Sequence, residues 1–472
     1  MITFVPVNQD MPKPERPGEG QRYMISSRGG DKMKVCIVGG GGGASNAANV
    51  IRSFDKEAQI DIFTNRGEIG NLPCEIPFVL KGTLPSWESS FAFRDRFYKE
   101  RDVGVHLNTE VTEIIREEKR IVAGGESYRY DKAILDMGAT PVIPPIAGLD
   151  GRNEFVLSTD LRYARTFEEA IPKYSHAAII GVGQIALEVA AVLQDRGYQH
   201  VYLVGRSERV LRAYLDKDMV GMIEERIKEK GVELILGAGS LSLATRGDRK
   251  LLYLGDRELE VDFIFLAVGV EPNAGLARKA GIKIGETGAI AVNEYLQTSD
   301  PDIYAIGDCM ENWDTLTGTR RRYQTATNAA KTGRIAGTNL VRGNVITYQG
   351  TVMPFITEVY GYEVGTVGLT EDYAREQGFD VVSSITTSST RRRAFEGKPI
   401  HIKLIADRRS QLLIGAQIIS EELVAGKIDR LAVAIAEKVP LQRLRQIDTC
   451  YSPTVGAGYE AVTMALDELL KL

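Results

Sequence analysis

One cysteine stands between two prolines in the stretch Ile69-Gly70-Asn71-Leu72-Pro73-Cys74-Glu75-Ile76-Pro77-Phe78. A thiolate is the reactive form of that side chain, and amides at a helix start favour it by lowering the thiol's pKa. The segment after Pro73 reads as such a start, so Cys74 is expected to be a stabilised nucleophile. The remaining cysteines are Cys36, Cys309 and Cys450. Their spacing makes neither a zinc pattern nor a dense disulfide framework, which suits a reducing cytosol, and no metal site is expected. Cys36 lies within an apolar run and reads as core; Cys309 reads as packing.

Two glycine turns offer a second chemistry, the cradling of phosphate. In Gly39-x-Gly41-x-x-Ala44, with Gly43 and Ser45 alongside, the first glycine allows a tight turn and the second lets backbone approach a pyrophosphate. The small third residue allows close helix packing, and helix-start amides face the phosphate. The acidic residue that ordinarily grips a ribose is replaced by Thr64 and Asn65, followed by Arg66. The second turn is Gly181-x-Gly183-x-x-Ala186, with Ile185 and Glu188 on the helix it opens. Its following strand ends at Gly205-Arg206-Ser207-Glu208-Arg209. No acid stands there to repel a 2′-phosphate, and Arg206 and Arg209 could neutralise one. NADPH is therefore expected, with NADH still open.

These residues must be positioned by repeated units. Lys34–Val38, the alanine-rich segment Ala44–Arg52 and Gln59–Phe63 read as strand, helix and strand, and His176–Arg206 repeats the pattern. A third block from about residue 346 alternates apolar strands with a helical segment and reads as α+β with an antiparallel sheet. A length of 472 residues suits two or three domains. The net charge of −5 gives no reason to expect nucleic acid. No run of apolar residues is long enough to span a membrane. Residues 1–32 read as a flexible polar extension with no secretory h-region.

Further segments, in order, resemble the flavin-dependent pyridine nucleotide–disulfide oxidoreductases. They are "YDKAILDMGATPVIPPIAG" (Tyr130 to Gly148, with Gly138), "FIFLAVGVEPN" (Phe263 to Asn273, with Gly269), "TSDPDIYAIGDC" (Thr298 to Cys309, with Gly307 and Asp308) and "TATNAAKTGRIAGTNL" (Thr325 to Leu340). Asp136-Met137 stands where that family has Ala-Thr. The resemblance covers about residues 33–472 and implies an α/β fold of two Rossmann-like domains plus a C-terminal α+β dimerisation domain. The implied FAD domain is split over 33–148 and 275–345, the NAD(P)H domain is 149–274, and the dimerisation domain is 346–472. Asp308 would hold the ribityl chain of FAD.

Within the family the lone cysteine is similar to the branch that reduces coenzyme A disulfide, coenzyme A persulfide or polysulfide, and to NADH oxidases and peroxidases. That branch carries Ser-Phe where this chain has Gly70 and Asn71. The resemblance implies a homodimer with a shared site, catalytic roles for Cys74, Tyr451 of "CYSP" and Tyr362 (Tyr360 as alternative), and substrate contacts from Asn71. Coenzyme A, as substrate or bound ligand, would meet Arg52. Cys450 either stays a passive buried thiol, resolves a mixed disulfide or forms an intersubunit disulfide. An oxidase or peroxidase would instead cycle Cys74 through sulfenic acid. A flavin electron carrier docking on another protein would have no use for it.

Overall fold

The computed structural model describes residues 32–472. Apart from Lys32, the extension expected over 1–32 lies outside the described residues. The first glycine turn joins strand β1 (Lys34–Val38) to helix α1 (Gly42–Phe54), which returns to strand β2 (Gln59–Phe63). Lys34 pairs with Gln59 and Val38 with Phe63, a parallel register that needs a long crossover, supplied here by α1. The five-stranded parallel sheet runs Ile303–Ala305, Lys132–Leu135, β1, β2, Val103–His106. Four of the five β1 residues are buried, as expected for a strand covered on both faces.

The chain then reaches Cys74 in a short turn of helix, Pro73–Glu75, that runs into α2 (Ile76–Lys81). The second glycine turn joins β3 (His176–Ile180) to α3 (Gln184–Asp195) and β4 (His200–Val204). Its parallel sheet runs Val232–Ile235, β4, β3, Phe263–Leu266, Glu154–Phe155. Val189, Val192 and Leu193 of α3 are buried as their spacing predicts, while Ile185 faces outward at 39% exposure. The long helix α4 (Ala326–Arg342) lies on α1. A Cβ at Gly333 would fall 2.3 Å from the Gly43 carbonyl oxygen, so these glycines set the closeness of the two helices.

The C-terminal block is a five-stranded antiparallel sheet, in the order Phe355–Val359, Tyr362–Gly368, Leu412–Ser420, Pro399–Asp407, Val381–Ser389. Helices Ala425–Ala436 and Ala461–Leu469 share its core. Lys403 in this sheet is buried and pairs with Asp216 (3.2 Å), Asp218 (2.7 Å) and Glu371 (2.9 Å). Two of these partners belong to the loop and helix after β4, so a buried charge network fixes how sheet and nucleotide unit meet.

Candidate active site

Cys74 is exposed, and its short helix is held from two sides. Below it, Ile76, Val79 and Leu80 share an apolar core with Ala186, Val189, Ala190 and Leu193 of α3. The C-terminal carbonyl of Leu80 accepts from Arg196 Nε (2.8 Å) and Nη2 (2.6 Å). On the approach, Leu72 N–H donates to Ser90 O at 2.8 Å and Phe93 N–H to Gly70 O at 3.2 Å. Gly70 has φ +88°, and a Cβ there would lie 1.9 Å from Phe93 O, so the crossing chain requires glycine at this position. Asn71 is buried, with Nδ2 donating to Thr159 O at 3.4 Å.

The expected depression of the Cys74 pKa is corrected. Desolvation pushes the thiol above its ordinary value, its own backbone amide opposes this, and Glu75 and Glu188 add to the rise. The helix it starts is only a turn and a half, and desolvation outweighs the help of its amide. Cys36 and Cys309 are buried, with thiols pushed up to about 12 mainly by desolvation. Both are inert by the same physics.

At the first glycine turn the residues fit a dinucleotide in shape. Gly39 has φ +110°, and a Cβ there would lie 2.0 Å from Asp136 O, so the turn admits no side chain. Gly307 precedes Asp308, and its N–H donates to Thr332 Oγ1 of α4 at 3.1 Å. Burial raises the Asp308 carboxyl to about 6. Gly138, at φ +66°, has open space on its Cβ side. The turn's helix-start amide at Ala44 donates to Asp136 Oδ2 at 2.7 Å, a contact the sequence reading missed. The signal was present, because an acid ends an otherwise apolar strand where the family has alanine.

Two other expectations at this turn are corrected. Ser45 is fully buried, with Oγ bonded to Tyr98 Oη (2.8 Å) and its N–H donating to Gly41 O (3.2 Å), so it has nothing to offer a cofactor. Arg52 is buried and donates to the carbonyls of Arg101, Asp55, Lys56 and Asp102, which removes it from any coenzyme A phosphate. Thr64 is also buried, and its Oγ1 accepts the Arg66 N–H at 3.3 Å, whereas Asn65 is exposed at the strand end.

The second turn is open. Gly181 is required, since a Cβ would lie 2.2 Å from Ala267 O, but a Cβ at Gly183 would meet nothing within 4 Å. Gly269, at φ +115°, likewise faces open space. Glu188 is bonded to Gln184 Nε2 (2.9 Å) and Thr357 Oγ1 (3.3 Å), and burial raises its pKa. Gly205 is pinned by Val182, whose methyls would lie 2.7 Å from a Cβ, so an acid cannot stand there. Arg206 is exposed; Arg209 donates to Leu215 O (3.2 Å) and Asp372 Oδ2 (3.3 Å).

Tyr360 and Tyr362 pack on the same apolar cluster as Ile76, Val79 and Leu80 of the Cys74 helix. Tyr362 is half-buried beneath the Arg226 guanidinium, 5.2 Å from its ring centroid, and Tyr360 Oη is buried with no hydrogen-bond partner among the described residues. Tyr451 is 52% exposed, and Cys450 before it is exposed, which corrects the reading of that thiol as buried. Among the described residues, no hydrogen bond joins Cys74 to any of the three.

Residues 33–333 match the family model described as pyridine nucleotide-disulphide oxidoreductase, and residues 356–462 match the dimerisation domain of that family. The chain belongs to the pyridine nucleotide-disulphide oxidoreductases. It is an NAD(P)H-dependent flavoprotein oxidoreductase, of a family that binds FAD and NAD(P)H. Within that family it is 33% identical over 428 residues to a CoA-dependent NAD(P)H sulfur oxidoreductase of Pyrococcus furiosus, covering 90% of this chain and 96% of that protein. It is 32% identical over 454 residues to an NADH oxidase of Methanocaldococcus jannaschii, covering 93% and 99%. The solved NAD-dependent persulfide reductase from A. fulgidus superposes with a TM-score of 0.89 at 30% identity, covering 93% of this chain and 83% of that one. Among the described residues, no helix is long and apolar enough to cross a membrane.

Proposed function

We propose that this oxidoreductase uses NAD(P)H to reduce sulfur–sulfur bonds in small molecules, namely coenzyme A disulfide, coenzyme A persulfide or polysulfide, through Cys74. The observation that carries the reading is an exposed lone thiol on a helix packed against α3, with its approach segment passing the first turn, where a Cβ built at Gly40 would lie 3.1 Å from the Ile69 side chain. The relatives named for coenzyme A-dependent sulfur reduction support the same substrate class.

In this reading the Cys74 thiolate attacks one sulfur of R–S–S–R, a protein–substrate disulfide forms, and one thiolate leaves. Two electrons and a proton then regenerate the Cys74 thiolate and free the second thiol. No resolving cysteine is needed, because the bound half of the substrate fills that role. Bound FAD supplies the two-electron relay from the nicotinamide. Gly39, Gly41, Gly43, Ala44, Gly138, Gly307, Asp308 and Asn65 would hold FAD. Gly181, Gly183, Ile185, Glu188, Gly205, Arg206, Arg209 and Gly269 would hold NAD(P)H. Because the protein's own groups hold the thiol protonated, turnover should rise with pH until the thiolate predominates.

We also assign the working unit as a homodimer. The segment carrying Tyr451 exposes Ile447, Tyr451, Val455 and Tyr459 together, an apolar stretch suited to a second copy of the chain. Tyr451, aided by Tyr362, would then hydrogen-bond a leaving sulfur in the partner's site, and Asn71 would line it.

The NADH oxidase reading, with Cys74 passing through sulfenic acid, is favoured by the similarly close relative of that name. Anaerobic NAD(P)H consumption with each sulfur compound, set against consumption with oxygen alone, separates the two. Faster turnover with oxygen than with every sulfur compound would end the sulfur reading. Cys74→Ser should bring sulfur reduction to near background while flavin stays bound.

A further inference from the structure

We infer that the side chain of Asp136 occupies the anion-binding pocket at the start of α1, so that loading FAD requires this carboxylate to be neutralised. The inference rests on FAD binding at the first turn and is independent of which acceptor is reduced.

Four parts of the fold converge on the group. Asp136 follows the strand Lys132–Leu135, and its N–H donates to Val38 O of β1 at 2.8 Å, which places the residue beside the glycine turn. Oδ2 accepts the Ala44 N–H at 2.7 Å, one of the helix-start amides that such a turn directs at phosphate. Cβ atoms added at Gly41, Gly43 and Gly307 would fall 2.9, 2.8 and 2.7 Å from its carboxylate oxygens. The three glycines that leave room for a nucleotide backbone therefore surround a protein carboxylate. The residue is 7% exposed, so the charge is not shared with water.

The surrounding charges do little to balance it. From the turn Gly307–Cys309, Asp308 faces it with like charge, and the Cys309 thiol is raised partly by its field. From the segment after β2, Arg66 contributes a favourable field, yet its guanidinium donates to Thr159 O and Thr159 Oγ1. From α4, Thr332 contributes only a hydroxyl to Gly307 N–H. α1 presents the Ala44 amide, the glycine turn adds the Gly41 amide, both of which favour the ionised form, and β1 presents backbone. Burial is the largest influence and raises the carboxyl to about 7. A pyrophosphate would bring further negative charge to the same amides, and like charges in one buried pocket cannot all ionise. FAD is thus bound by the form in which Asp136 carries its proton, and uptake of the cofactor takes up a proton above neutrality.

The test is release of FAD from the holoenzyme on dilution, read as free-flavin fluorescence between about pH 6 and about pH 9. The apparent Kd of the wild type should climb above about pH 7, approaching tenfold per pH unit. Asp136→Ala, which restores the small residue of the resembled family, and the near-isosteric Asp136→Asn should both bind FAD more tightly at alkaline pH. Both should lose the slope and converge on the wild type at the acid end. An affinity in the wild type that is flat across this range would overturn the inference. So would variants that fold with native circular dichroism and hold FAD no more tightly at alkaline pH.

Discussion

A Cβ added to Gly183 of the second glycine turn would meet open space, whereas one added to Gly41 of the first would lie 2.9 Å from the Asp136 carboxylate. Both turns follow a buried parallel strand, both begin with a glycine at strongly positive φ, and both open onto a helix with alanine at the third fingerprint position. The fingerprint is therefore a statement about backbone shape. It fixes the route of the chain and leaves the charge in the cradle to a residue elsewhere. In the first turn that residue is Asp136, ninety-two positions after the Ala44 it binds.

The largest way to break the comparison is at the shared first glycine. Gly39→Ala places a methyl against Asp136 O in a left-handed conformation and should cost about 3 kcal/mol or more, read as a marked fall in thermal midpoint. Gly183→Ala adds the same methyl where φ is −88° and the space is empty. It should leave the midpoint nearly unchanged and raise the KM for the nicotinamide nucleotide roughly tenfold, the equivalent of ~1.4 kcal/mol. A comparable loss of stability in both variants would show that the second turn is as crowded as the first.

An effect of similar size, spread over a pH range, concerns Asp136. The Asp136 carboxyl moves from an ordinary 3.8 to about 7 on folding, because desolvation disfavours its charged form. Between those values the folded chain binds a proton that the unfolded chain releases, so stability falls as pH rises through this window. The flavin-free protein should accordingly lose up to about 4 kcal/mol relative to Asp136→Ala between about pH 4 and pH 7. Denaturant midpoints of the two proteins at several pH values supply the difference curve. Parallel curves would mean that the carboxylate is already well satisfied as an anion.

Why the turns were legible and their contents were not follows from sequence distance. Glycine spacing, the apolar strands and the buried positions of α3 are local, and local rules place them. The roles of Ser45 and Arg52 were misread because their partners, Tyr98 and the carbonyls of Arg101 and Asp102, arrive from about fifty residues downstream. Cys74 shows the same limit, since its thiol is raised partly by Glu188, a residue of the other nucleotide unit. Asp136 could be seen as an oddity in an apolar strand, but its destination depends on that strand lying beside β1.

The smallest effect sharpens the second turn alone. Arg206 is exposed at the end of β4, where Gly205 is pinned by Val182 and leaves no room for an acid. Arg209, three residues on, already donates to Leu215 O and Asp372. An exposed guanidinium can meet a 2′-phosphate directly, and a charge-assisted hydrogen bond of that kind contributes roughly 1.5–3 kcal/mol. Arg206→Ala should therefore raise the KM for NADPH by about tenfold or more and leave that for NADH nearly unchanged. Arg209→Ala should shift the NADPH value only a few-fold, because its guanidinium must first leave Asp372. Steady-state kinetics with both nucleotides decide the order. A larger loss at Arg209 than at Arg206 would mean that the Asp372 contact opens on binding, and the second turn would then share with the first a charge that has to yield before its nucleotide can settle.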